Sequence, residues 1–116
     1  MTYDEKLANR VRENLMHLDN VEEKTMFRGL SFMVDGKLCI GVRGKEIMCR
    51  LDPEIFETVL ERQGCRPMVH GKRTMKGFVF INEHGYLKKE DFDYWIGLAL
   101  EFNPKAKASK KRRKND

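Results

Sequence analysis

Between Met26 and Leu51 the apolar residues fall at every second position, reverse direction twice and resume, the pattern of three antiparallel strands. Leu30, Phe32 and Val34 share one face. Asp35-Gly36 supplies the pair of φ-tolerant residues that a two-residue hairpin turn requires, and Leu38, Ile40 and Val42 carry the alternation back. A second reversal at Arg43-Gly44-Lys45 leads into Ile47, Cys49 and Leu51. An aliphatic face this continuous must be covered, and the flanking segments switch to helical spacing. Leu7, Val11, Leu15 and Leu18 follow a capping-box pair, Thr2 and Glu5, and predict a first helix that ends near Asp19-Asn20. Val21 to Thr25 then reads as a charged approach to the meander.

Asp52-Pro53-Glu54 opens a second helix of about three turns, with Phe56, Val59 and Leu60 on its apolar edge and Gly64 at its end. Arg66 to Val69 is a brief extended piece, because the residue before a proline is pushed out of the α region, and His70-Gly71 turns the chain. Lys76 to Ile81 is a strand whose nearly all-apolar end marks a central position. Asn82 to Gly85 breaks it. Phe92, Trp95, Ile96, Ala99 and Phe102 return to helical spacing before Asn103-Pro104. The predicted class is α+β: two layers, with an antiparallel sheet (meander plus one or two later strands) backed by helices, in the order helix, three strands, helix, strand or strands, helix.

Charge changes the picture at one end only. The chain has 116 residues and a formal charge of +5, but Lys105 to Asp116 holds seven of the 23 basic residues and one of the 18 acidic ones. Residues 1–104 therefore carry the other 16 basic and 17 acidic side chains, a net charge of −1. The expected organisation is a globular domain over 1–104 and a basic, disordered tail over 105–116. Within the tail, Lys110, Lys111, Arg112, Arg113 and Lys114 are candidate phosphate contacts that would give non-specific nucleic-acid affinity. The meander and strand-flanking cations Lys37, Arg43, Lys45, Lys72, Arg73 and Lys76 read as a solvated rim, with no aromatic residues interleaved to stack bases.

Little in the chain is spaced for chemistry. His17, His70 and His84 fall on three different elements with no ligand-pair spacing, so neither a metal nor another cofactor is expected. Gly36 and Gly41 are spaced like a phosphate-binding loop, yet Val42-Arg43 stands where Lys and Ser/Thr are needed. Gly41-Val42-Arg43-Gly44 has the spacing of an RNA-clamping loop but lies between strands. Three cysteines, Cys39, Cys49 and Cys65, form no C-x-x-C pair, and no apolar run spans a membrane, which reads as a reduced, cytoplasmic protein. If Leu30, Phe32 and Val34 face the helices, then Ser31, Met33, Cys39 and Met48 point the other way. That semi-polar, Met-bearing face suits a protein contact, with Met33, Arg43 and Met48 as its candidate residues.

Tyr3-Asp4-Glu5-Lys6-Leu7, the block Lys24-Thr-Met-Phe-Arg-Gly-Leu-Ser-Phe-Met33, Asp35-Gly36, Arg66-Pro67-Met68, Met75-Lys76-Gly77-Phe78-Val79 and Trp95 together resemble the N-terminal domain of the TfoX/Sxy family of bacterial competence regulators. The resemblance runs from residue 3 to about 102 and implies a stand-alone version of that domain. It implies a two-layer fold of the secretion-chaperone-like type, a cytoplasmic bacterial setting and no catalytic residues to carry over. It also implies a role beside a cyclic-AMP receptor-type activator at competence promoters. The expected function is a non-enzymatic protein-binding module, a transcription or competence co-regulator. The alternatives are a small enzyme using a reactive cysteine and a structural homodimer.

Overall fold

The computed structural model describes residues 3–26 and 28–106. Thr2, Phe27 and the tail cations Lys110, Lys111, Arg112, Arg113 and Lys114 lie outside the described residues. Within them the architecture is α+β: one six-stranded antiparallel sheet with helices against one face.

Helix α1 (Glu5–Leu15) starts at Asp4, whose carboxylate accepts from the Lys6 and Leu7 backbone N–H groups at 2.8 and 3.1 Å. It places Leu7, Ala8, Val11 and Leu15 in the core and ends one turn earlier than the spacing to Leu18 implies. Four strands follow where the alternation predicts three: β1 (Val21–Met26), β2 (Gly29–Val34), β3 (Lys37–Arg43) and β4 (Glu46–Arg50). The added strand is the charged approach segment. It pairs in full register with β2 and forms one edge of the sheet, where charged side chains discourage further pairing. Its inward Glu23 accepts from two guanidinium nitrogens of Arg12 at 2.7 and 2.8 Å, which clamps α1 to that edge.

The turn between β2 and β3 has Asp35 and Gly36 at φ of 52° and 77°, the left-handed pair expected of a tight hairpin. Asp52 caps a 3₁₀ turn (Pro53–Ile55) that runs into α2 (Phe56–Val59), shorter than the three turns expected. After Gly64 come β5 (Cys65–His70) and β6 (Arg73–Ile81), then α3 (Glu83–Tyr86) within the segment that reads as a break, and α4 (Lys89–Phe102). The sheet order is β1-β2-β3-β4-β6-β5, so β6 is interior, as its apolar end indicates.

The core lies between the sheet and the helices. Leu30, Phe32 and Val34 meet Ile40, Val42, Ile47, Cys49, Val79 and Ile81 on the inner face, closed by Phe92, Trp95, Ile96 and Ala99 of α4. Trp95 is 1% exposed and its indole N–H donates to the Gly85 carbonyl at 3.1 Å, which ties α4 to α3. Lys37 donates to the Asn103 and Pro104 carbonyls at 3.3 and 3.4 Å, and the Asn103 amide donates to the Val34 carbonyl at 3.2 Å, which fixes the end of α4 over the β2–β3 turn.

One inward/outward assignment from the alternation is corrected. Phe32 opposes Ile40 and Met33 opposes Leu38, so Cys39 is the extra residue of a bulge. Cys39 therefore joins the helix-side core, and Leu38 turns to the open face in its place. A single inserted residue inverts the face of its neighbours, which alternation alone cannot register.

A candidate partner-binding groove on the open face of the sheet

The face turned away from the helices is not flat. Cross-strand register sets Lys24, Ser31, Gly41, Met48, Phe80 and Arg66 in one row across all six strands. Ser31 and Gly41 are small, so the middle of this row is a depression walled by the longer side chains on either side. The β5–β6 hairpin closes it from above. Pro67 opposes Val79 but Met68 opposes Met75, leaving Lys76, Gly77 and Phe78 as a wide bulge in β6. Gly77 sits there at φ +93° and its carbonyl accepts from the Leu51 N–H at 2.8 Å. The bend brings Met68, Val69, His70 and Met75 to the same groove as Met26, Ser31, Gly41 and Met48. Its volume is about 470 Å³, within the range of small-molecule and peptide side-chain sites.

Guanidinium groups dominate the groove end of this face. Arg43 lies over the Phe80 ring at 4.7 Å, Arg66 over the same ring at 4.6 Å, and Arg50 over Phe78 at 5.4 Å. Aromatic faces attract guanidinium groups, so Phe78 and Phe80 hold three cations at this surface. Arg66 is also fixed by Glu46, at 2.6 and 3.0 Å. No residue lining the groove is acidic, and among the described residues no carboxylate pairs with Arg43 or Arg50. Among the meander cations, which read as having no aromatic residues interleaved to stack bases, Arg43 shares with Arg66 the ring of Phe80. It is only 4% exposed, so the two guanidinium groups cover the face that a nucleic-acid base would stack on.

The cysteines are arranged for packing. Burial pushes the Cys39 thiol up to about 12 and that of Cys65 to about 11, and it pushes Cys49 well above its ordinary value. Cys49 lies fully buried against the Trp95 carbonyl, its Sγ 3.7 Å away. All three are neutral thiols near pH 7, the opposite of the depressed pKa a thiolate nucleophile needs. Among the described residues no three His, Cys, Asp or Glu side chains cluster in a way that would hold a metal ion. No described helix is long and apolar enough to cross a membrane.

Two layers, helices on one sheet face and an open groove on the other, define the class of domain. The chain belongs to the TfoX N-terminal domain family, whose pattern matches residues 13–103. No curated protein and no solved structure matches it.

Of the three residues singled out for protein contact, the fold brings Arg43 and Met48 together in the groove. Met33 alternates onto the same face, where it is buried between Glu22 and Leu38 and forms no part of the groove wall. Sequence reasoning misses Arg66 and Phe80. The signal is present: Phe78 and Phe80 alternate with Val79 and Ile81, so an apolar strand end with two faces also implies an apolar patch away from the helices.

Proposed function

We propose that this chain is a non-enzymatic protein-binding module and that the groove on the open sheet face receives the partner. The observation carrying this reading is a recessed apolar surface with Arg43 and Arg66 at its rim, on the one sheet face that the described helices leave uncovered. A patch of this kind at a monomer's surface is the usual mark of an interaction site. Within a family associated with competence regulation, the partner is a protein of the transcription machinery, a cyclic-AMP receptor-type activator being the first to try. The tail cations Lys110 to Lys114 add non-specific phosphate affinity.

The test is co-sedimentation of the full chain with such a purified activator, repeated with Arg43→Glu, a change at an exposed position. A complex that Arg43→Glu weakens supports the reading. No complex rejects this partner, and a complex indifferent to Arg43→Glu moves the interface off this face.

A further inference from the structure

Resting on that reading, we infer that the groove takes an acidic amphipathic segment of its partner. Apolar side chains seat over Ser31 and Gly41 against Met48 and Met68, and a flanking carboxylate pairs with Arg43, which no carboxylate of the described residues holds. Shape and charge both point there. The floor is apolar and recessed at two small residues, Ser31 and Gly41, a shape that receives projecting side chains. The rim offers the guanidinium of Arg43, whose forked donors match a carboxylate bidentately, as those of Arg66 already match Glu46.

The same charge argument disfavours the other occupants. The chain's own tail, with seven basic residues and one acidic residue from Lys105 onward, carries the sign of the rim. A second copy stacked groove to groove about a two-fold axis would bring two arginine-rimmed grooves together, like charge against like. Single-stranded nucleic acid has the right charge but needs an open aromatic face, and of the groove's two phenylalanines Phe80 is covered by its two arginines and Phe78 is half-buried with Arg50 over its ring.

Three short fluorescein-labelled peptides test the assignment. They share one leucine spacing and carry glutamate, glutamine or lysine between the leucines. Anisotropy titrations use the full chain, Arg43→Glu and Gly41→Leu. A Cβ on Gly41 would meet only ordinary contacts, at 3.4 Å from Met48 Cε and 3.5 Å from the Leu30 carbonyl, so a leucine there enters the groove without backbone clash. The glutamate peptide is expected to bind about threefold to fivefold more tightly than the glutamine one, the worth of one exposed ion pair at Arg43, with the difference shrinking in high salt. Arg43→Glu should remove that preference, and Gly41→Leu should weaken all three.

If the glutamine and lysine peptides bind as tightly as the glutamate one but still respond to Gly41→Leu, the acidic assignment is overturned and the groove survives as a protein site. If no peptide binds, or Gly41→Leu changes nothing, both fall. A single-stranded RNA oligonucleotide that displaces the peptide, or self-association that Arg43→Glu abolishes, would replace the occupant and overturn the inference. Arg43→Glu lies at an exposed position, so the test stands even if Gly41→Leu fails to fold.

Discussion

Replacing Gly77 by alanine should damage stability and groove together, and the fold gives the size of the effect. At φ +93° the backbone is at the far edge of the left-handed region, where an L-residue costs about 1–2 kcal/mol. The added methyl would sit 3.1 Å from the Leu51 carbonyl oxygen, the residue whose N–H is bonded to Gly77, and 3.4 Å from Pro53 Cγ. Neither neighbour can retreat without disturbing the start of the 3₁₀ turn. Against this, alanine narrows the unfolded ensemble and returns less than about 1 kcal/mol. With about 1 kcal/mol more for the overpacked contact, a net loss of about 2 kcal/mol follows.

Gly71 is the matched control. It lies at the tip of the same hairpin at φ +65°, near the centre of the left-handed well, and a methyl added there would have no neighbour within 4 Å. Gly71→Ala should therefore cost only about 1 kcal/mol. Urea unfolding followed by emission of the single tryptophan, Trp95, separates the two, since a difference of about 1 kcal/mol moves the midpoint by roughly half a molar to one molar. Gly77→Ala should also loosen peptide binding, because the bend carries Met68 and Met75 to the groove, whereas Gly71→Ala should not. Equal stability of the two variants, or intact binding by Gly77→Ala, would refute the account of the bend.

The thiols should label slowly with a disulfide reagent at neutral pH and rapidly once urea unfolds the chain. Because burial raises Cys39 to about 12, Cys65 to about 11 and the Tyr86 hydroxyl to about 12, the folded state holds those protons more tightly than the unfolded one. Their contribution is fully present below the unfolded values near 9 for the thiols and 10 for tyrosine, and it is lost as pH rises toward 12. Thermal midpoints taken from about pH 8 to 11 should fall, and a flat profile would contradict the burial. Trp95→Phe removes the donor to the buried Gly85 carbonyl as well as indole volume, and should cost about 2–4 kcal/mol in chemical unfolding. The full chain should bind a mixed-sequence DNA duplex with a logarithmic salt slope near −5 if six phosphates are neutralised, by counter-ion release of about 0.9 per contact. A chain ending at Pro104 should lose most of that binding, and equal binding by both would place the phosphate contacts in the folded body.

Much of the fold is legible because local signals agree with tertiary demand. Asp35-Gly36 names its own turn, Asp52-Pro53 its own helix start, and Trp95 with Ile96 and Ala99 the helix that covers the sheet. β1 is hidden because an edge strand solvated along most of its length shows no apolar period, and its one inward charge, Glu23, is explained only by Arg12 arriving from α1. The face of Cys39 is hidden because a bulge is a property of two strands and leaves no mark in one.

Arg43 and Met48 are legible as outward residues by counting from Leu30. Their joining into a groove is not, since it depends on the β4–β6 pairing that brings Phe80 beside Met48 and on the bend at Gly77 that returns the arm. Both are contacts between segments far apart in sequence.

The open face as partner surface is tested most directly by methyl resonances of the methionines. Protein labelled at the methionine methyls carries Met26, Met48, Met68 and Met75 in the groove, and Met16, 79% exposed beyond the end of α1, as a reference away from it. On titration with a purified cyclic-AMP receptor-type activator, the four groove methyls should shift while Met16 stays in place. A complex that moves Met16 and leaves the groove methyls untouched would contradict the account.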